Sequence, residues 1–231
     1  MLWNVDLTLV DVARVSRDAY AEAFRRVTGR PLVALPALAG ASDSEIFFDA
    51  QALNAPVAGP GKQGNGELLA WYLTELAAAF AARRGLIAER GRVLPGARES
   101  LAALAGTAGV IQTVLTGSVR QTALEKLRAF HLEDFVDADI GGYGSDAYPK
   151  GAQILRSMAM ATEKYGRRLA PADVVYVADS VRDAAAAMVG GVRCVGVATG
   201  RSTASELRGA GADPVLESLA DTQAVIAAVL R

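Results

Sequence analysis

Four short apolar runs, rich in β-branched residues, are the feature of this sequence that most constrains its fold. Such runs are typical of strands that are buried on both faces of a parallel sheet. They are Leu2–Val5, Val110–Leu115, Val174–Ala178 and Arg193–Val197. Helical patterns cover Val119–Phe130, Ala152–Tyr165, Val181–Val189 and Thr203–Arg208. Because strands that alternate with helices form βαβ units, the sequence predicts an α/β fold with a doubly wound parallel sheet.

The stretch between the first and second runs is about 100 residues long, far more than an ordinary crossover needs. Apolar residues recur in it at helical spacing over 12–27 and 69–80, and Ser42–Leu53 is predicted to be a further helix. Residues 59–66, GPGKQGNG, are predicted to be a loop. We therefore predict a core of residues 1–12 and 91–231 with a helical cap inserted at 13–90.

Charge and composition exclude several classes of partner. The formal net charge is -1 and the pI is near 5.9, so we expect neither nucleic acid nor an anionic membrane as a partner. His131 and Cys194 are each the single residue of their type, which excludes an internal disulfide and argues against a Cys/His zinc site. The N-terminus lacks a basic leader and no run approaches the roughly 18 apolar residues of a membrane span, which predicts a cytoplasmic protein.

Polar residues follow the predicted strands at the points where they end. In an open parallel sheet, ligands bind at the carboxyl ends of the strands, so these residues are candidates for one site. They are Asn4, Asp6 and Thr8 after the first strand, Thr116, Gly117 and Ser118 after the second, Asp179 and Asp183 after the third, and Lys150 before a helix.

The residue types in this set are those that bind a metal ion and a phosphate. Asp179 and Asp183 are four residues apart, so on a shared helical face one could bind Mg²⁺ while the other supports it. Thr116 and free backbone N–H groups at Gly117 and Ser118 would suit phosphate oxygens.

Lys150 would add a positive charge that holds both the phosphate and an anionic side chain opposite it.

Two further residues, Ser118 and Asp43, each allow two interpretations. Ser118 is either a ligand contact or a helix N-cap. In GASDSEIF (40–47), Asp43 could face the pocket, but helix capping by Ser42 or Asp43 is favoured.

Four segments taken together resemble the motifs of the haloacid dehalogenase superfamily, in the family's order and spacing. They are NVDLT at 4–8, LTGS at 115–118, Lys150 and ADSVRD at 178–183. The closest resemblance is to phosphoglycolate phosphatase-like members with a helical cap after the first motif. It implies a Rossmann-like core, Mg²⁺ as cofactor and a small phosphorylated substrate or ligand.

The resemblance also implies a role for each motif residue. Position 4 is that of the nucleophile, which forms an aspartyl-phosphate, and Asp6 is the general acid/base, with its backbone carbonyl on Mg²⁺. The implied metal ligands are Asn4, Asp6, Asp179 and Asp183, and the implied phosphate ligands are Thr116, Gly117 and Lys150.

Asn4 is the departure from the family's motif that matters most. An amide oxygen is a poor nucleophile, and losing a nucleophile in an unrelated hydrolase costs a factor on the order of 10⁶. Leu7 also stands where the family usually has Gly. Two hypotheses therefore stay open: an Mg²⁺-dependent phosphoric monoester hydrolase, or a silent protein that binds or senses a phosphorylated ligand.

A dehalogenase is disfavoured, because those relatives lack the acid that Asp6 represents. A phosphomutase stays open. So do the substrate, the oligomeric state, and whether Asn4 is natural or introduced.

Overall fold

The computed structural model describes residues 1–54, 65–146 and 149–231 of the chain. Most of the predicted loop at 59–66 lies outside the described residues, since α3 begins at Asn65. The strands are β1 Leu2–Trp3, β2 Val10–Asp11, β3 Arg92–Val93, β4 Thr113–Val114, β5 Val175–Ala178, β6 Arg193–Val197 and β7 Val215–Leu216. The α-helices are α1 Ala13–Thr28, α2 Asp43–Leu53, α3 Asn65–Ala82, α4 Arg84–Arg90, α5 Ala97–Ala105, α6 Arg120–Arg128, α7 Lys150–Tyr165, α8 Val181–Val189, α9 Ala204–Gly209 and α10 Thr222–Val229.

Five strands form one parallel sheet, in the order β4-β1-β5-β6-β7. Successive side chains of β5 enter different cores: Val175 and Val177 pack in one buried cluster, while Tyr176 and Ala178 pack in another. Because side chains alternate between the faces of a strand, these clusters mark the two faces of the sheet. The prediction of an α/β fold with a Rossmann-like, doubly wound parallel sheet is confirmed.

Helices α1 to α4 lie in the chain between β2 and β3, which pair with each other in an antiparallel ribbon. Helix α1 packs against α3, and its buried face includes Tyr20 and Phe24. The ribbon brings the two ends of this helical segment together, as a cap inserted into a core requires. The division into a core and a cap at 13–90 stays a prediction.

Strands β1 and β4 are shorter than their apolar runs predict. Strand β1 ends at Trp3 and β4 at Val114, although Leu115 N still donates to Trp3 O at 2.8 Å. Regular strand pairing therefore ends close to the positions where polar side chains begin, at Asn4 after β1 and at Thr116 after β4. None of the helices in the described ranges is both long and apolar enough to cross a membrane.

Candidate functional site

The chain turns sharply after β1, and this turn carries Asn4 and Asp6 to the carboxyl edge of the sheet. The amide of Leu7 donates to Val10 O at 2.7 Å, and Leu7 has φ +59, in the left-handed region that favours Gly. Thr199, which follows β6, donates its hydroxyl to Leu7 O at 2.6 Å. A contact from another strand end thus supports a backbone conformation that a Leu rarely adopts.

The side-chain amide of Asn4 lies among acidic groups. Its Oδ1 accepts a hydrogen bond from Val5 N at 2.9 Å. Its Nδ2 donates to Asp179 Oδ1 at 2.9 Å, to the backbone oxygen of Asp6 at 3.2 Å and to Asp183 Oδ2 at 3.5 Å. The NH₂ group therefore faces three oxygens, which two separate motifs of the sequence supply.

Asp179 and Asp183 do not share a helical face, so that prediction is wrong. Helix α8 begins at Val181 with Ser180 as its N-cap, and Asp179 lies before the helix. Both carboxylates are buried and meet through the Asn4 amide. Burial raises the pKa of Asp179 to about 7, and the nearby charge of Asp183 adds to this increase.

Lys150, the first residue of α7, forms an ion pair with Asp183. The distance from Lys150 Nζ to Asp183 Oδ1 is 2.6 Å, and only 11% of the lysine side chain is exposed. Tyr176 also donates to Asp183 Oδ1, at 2.8 Å, and Ser180 donates to Asp183 Oδ2. The lysine therefore meets an anionic side chain opposite it, as its sequence position suggests.

The ion pair between Asp6 and Lys126 was not anticipated from the sequence. Lys126 Nζ lies 2.6 Å from Asp6 Oδ2, 2.9 Å from Ser118 Oγ and 5.1 Å from the centre of the Phe80 ring. Its side chain is 2% exposed. The signal was available: Lys126 lies three residues after Ala123, on the face of α6 that is buried.

The loop before α6 presents Thr116 to the cleft, but not in the arrangement predicted. The amide of Ser118 donates to Thr116 Oγ1 at 3.2 Å, so it is not a free N–H. The N-cap of α6 is Val119, and the N-cap interpretation of Ser118 is therefore wrong. Instead, Ser118 Oγ lies between Lys126 and Asp6.

Asp43 ties the helical segment to this loop. Ser42 forms a capping box with Glu45 at the start of α2, which leaves the Asp43 side chain free to turn inward. Asp43 is buried and accepts hydrogen bonds from Tyr20 OH at 2.6 Å and from Val119 N at 2.8 Å. Its burial raises the pKa of this carboxyl.

A small cleft, with a cavity of about 80 Å³, opens at this edge of the sheet. Of the residues singled out from the sequence, it is lined by Asn4, Asp6, Thr116, Gly117, Ser118, Lys150 and Asp179, and also by Asp43. Asp183 lies behind Asn4 and Lys150. The segments converge on one pocket, while the chemical roles of these residues stay predictions.

The atoms around Asn4 do not fit Mg²⁺ as they are arranged. Mg²⁺ takes oxygen ligands in a near-octahedral shell, and the carbonyl of Asp6 and the carboxylates of Asp179 and Asp183 are suitable oxygens. The amide of Asn4, however, directs N–H donors at these oxygens. Across the described residues, no group of three or more Asp, Glu, His or Cys side chains is arranged to hold a metal ion.

Many solved structures share this fold at low sequence identity. A hydrolase from Pseudomonas syringae matches with a TM-score of 0.68 and 20% identity, over 98% of this chain and 96% of its own. A protein described as a predicted phosphatase from Clostridium acetobutylicum matches with a TM-score of 0.69 and 18% identity, over 98% and 97%. One described as a predicted phosphoglycolate phosphatase from Haemophilus somnus 129pt matches with a TM-score of 0.64 and 19% identity, over 96% and 95%.

No curated protein matches the chain in sequence. The model of the haloacid dehalogenase-like hydrolase family matches residues 5–191, which begin directly after Asn4 and include the three later motifs. The match covers most of the chain, and the fold and the order of strand ends agree with it. The chain belongs to the haloacid dehalogenase-like hydrolase family.

Proposed function

We propose that this chain is a phosphatase, a phosphoric monoester hydrolase of the phosphoglycolate phosphatase-like kind. Its substrate would be a small phosphorylated metabolite. One observation carries the proposal. Lys150, Lys126 and the Thr116 hydroxyl line the same cleft as Asp6, a carboxyl group that can exchange protons with a bound ester. Structural relatives described as phosphatases share this fold.

The cleft has the charges and donors that a phosphoryl group requires. Two ammonium groups flank it. Both are largely buried, which limits the screening of their charge by solvent, and each is paired with a carboxylate, that of Asp6 or of Asp183. Thr116 adds a hydroxyl donor. The small cavity, about 80 Å³, favours a small metabolite over a polymer.

Asp6 is the residue we assign to proton transfer. Its side chain is 39% exposed, so a leaving oxygen or a water molecule can reach it. Lys126 and Ser118 contact its carboxylate and hold it in one orientation. Because position 4 supplies no nucleophile, water would attack phosphorus directly as the ester P–O bond breaks; Asp6 would take a proton from that water and give one to the leaving oxygen.

Asn4 limits the rate that this site can reach. The amide cannot form the aspartyl-phosphate, and its oxygen is engaged by Val5 N. We therefore expect turnover by this chain to lie orders of magnitude below that of an Asn4→Asp variant, on the scale of a lost nucleophile. We expect the Mg²⁺ implied by the resemblance to bind to the Asn4→Asp variant. There a carboxylate oxygen replaces the NH₂ group that faces the oxygens of Asp6, Asp179 and Asp183.

The test compares the chain with its Asn4→Asp and Asp6→Asn variants, with an aryl phosphate and a panel of small phosphate esters, in Mg²⁺. We expect slow hydrolysis by the chain, faster hydrolysis after Asn4→Asp, and none after Asp6→Asn in either background. Absence of hydrolysis from both the chain and Asn4→Asp across the panel would contradict the phosphatase assignment.

A second candidate is a silent protein that binds a phosphorylated ligand without turnover. The Asn4 amide favours it, because it removes the nucleophile and leaves Thr116, Lys126 and Lys150 in the cleft. The same assay separates the two candidates. Hydrolysis that appears only after Asn4→Asp, together with ligand binding by the unchanged chain, identifies the silent protein.

A further inference from the structure

We propose that the Asn4 amide takes the place of a divalent cation at the strand ends, so that this cleft binds phosphate oxyanions without a metal. The inference deepens the proposed function and rests on it for the identity of the anion. It starts from the three oxygens that meet the NH₂ group: Asp6 O, Asp179 Oδ1 and Asp183 Oδ2. In this chain those oxygens are joined by hydrogen bonds from one amide.

The orientation of the amide follows from its neighbours. Val5 N–H donates to Asn4 Oδ1, so the opposite end of the amide must be the NH₂ group. A reversed amide would direct an N–H at Val5 N–H and an oxygen at the Asp179 carboxylate. Both contacts would be repulsive, so the amide oxygen cannot turn toward a cation without losing hydrogen bonds on both sides.

The carboxylates are also occupied without a metal. Asp183 accepts from Lys150 and Tyr176 on Oδ1, and from Ser180 and Asn4 on Oδ2. These four donors match the acceptor capacity of a carboxylate. A cation at this point would have to displace donors from a fully buried group.

Positive charge for an anion comes from the two lysines. Salt bridges of 2.6 Å join Asp6 to Lys126 and Asp183 to Lys150. Asp179 accepts from two neutral groups, the Thr8 hydroxyl and the Asn4 amide. Both ammonium groups border the cleft, together with the carboxylates of Asp6, Asp43 and Asp179, so an oxyanion there would share each lysine with its carboxylate partner.

The direct test measures metal binding and needs no turnover. Mn²⁺ is titrated into the chain, into Asn4→Asp and into Gln223→Glu, and free Mn²⁺ is followed by electron paramagnetic resonance. Gln223 is exposed on α10, so its variant adds the same negative charge away from the cleft. We expect Asn4→Asp to bind one Mn²⁺ at least about 100-fold more tightly than the chain, a factor at the upper end for lost metal-site partners, and Gln223→Glu to resemble the chain.

A second measurement follows inorganic phosphate binding by calorimetry, in EDTA and in Mg²⁺. We expect the chain to bind phosphate with the same affinity in both buffers. Asn4→Asp should bind phosphate in Mg²⁺ and lose most of that affinity in EDTA, because its extra carboxylate then repels the anion.

Three results would overturn the inference. They are tight Mn²⁺ binding by the unchanged chain, failure of Asn4→Asp to gain it, and phosphate binding by the chain that is absent in EDTA. None of them depends on hydrolysis. The phosphatase assignment can therefore fail while this inference stands, and the reverse also holds.

Discussion

Lys126 and Asp6 form an ion pair whose two members differ in their access to water. The lysine side chain is 2% exposed and lies over the Phe80 ring, whereas the carboxylate of Asp6 is 39% exposed. Removing the lysine leaves a carboxylate that water can reach. Removing the carboxylate leaves a buried ammonium with Ser118 as a neutral contact, and a buried charge without its partner is costly.

We predict unequal effects of Lys126→Met and Asp6→Asn on stability. Lys126→Met should change the free energy of unfolding by less than about 1 kcal/mol, because Met keeps the apolar contact with Phe80. Asp6→Asn should lower it by about 1–3 kcal/mol, less than for a fully buried pair because Asp6 is partly exposed. Urea unfolding measures both, and phosphate affinity should fall in Lys126→Met. Equal losses of stability would contradict this account.

At the scale of elements, the start of α2 and the loop before α6 approach each other more closely than side chains allow. Asp43 N donates to Gly117 O at 2.8 Å, and a Cβ on Gly117 would lie 2.0 Å from Ala41 O. The missing side chain therefore permits the contact between the helical segment and the strand end. This contact closes one wall of the cleft.

Gly117→Ala should separate these two segments. We expect it to lower the free energy of unfolding by about 1–3 kcal/mol, the cost of overpacking, and to weaken phosphate binding. Gly85→Ala is the matched control: Gly85 is exposed within α4 and its Cβ would meet nothing within 4 Å. That variant should gain roughly 0.5–1 kcal/mol. A Gly117→Ala protein as stable as the chain would show that the approach is not tight.

Across the whole molecule, α6 connects the sheet to the helical segment. It packs against α3 and α4, and Arg84 of α4 donates two hydrogen bonds to Glu125 of α6. Lys126, the next residue, reaches the cleft from the same helix. Helix α6 therefore carries both Glu125, which contacts the helical segment, and Lys126, which contributes a positive charge to the candidate site.

The Arg84–Glu125 pair should make stability depend on pH. The hydrogen bond from Arg84 lowers the pKa of Glu125 below its ordinary value of 4.5. A lowered acid pKa stabilises the folded state above the ordinary value and loses that contribution as the pH falls through the folded value. The difference in free energy of unfolding between the chain and Glu125→Gln should therefore be present at pH 7 and shrink below pH 4.5.

Chemical unfolding at a series of pH values measures this difference, with Glu217→Gln as an exposed control. A difference that stays constant from neutral to strongly acidic conditions would rule out the ion pair as its source.

The elements that could be predicted are those with a strong local signal. Helix α8 and strand β6 agree with their predicted bounds, because the signals that define them are local. The helix has a capping residue and an apolar period, and the strand is a short apolar run. The short β2, β3 and β7 were not predicted, since strands of two residues have no period. Their pairing exists only because the folded chain brings partners beside them.

The sequence by itself determined the parallel sheet, the order of its motifs and the edge at which the polar residues gather. It did so because buried strands and amphipathic helices have local periods, and because parallel strands end at one edge of a sheet. Only the tertiary structure decided that Lys126 meets Asp6 and that the Asn4 amide faces Asp179 and Asp183. These partners lie 120 to 179 positions apart in the chain, so their contacts depend on strand order and helix packing rather than on any local pattern.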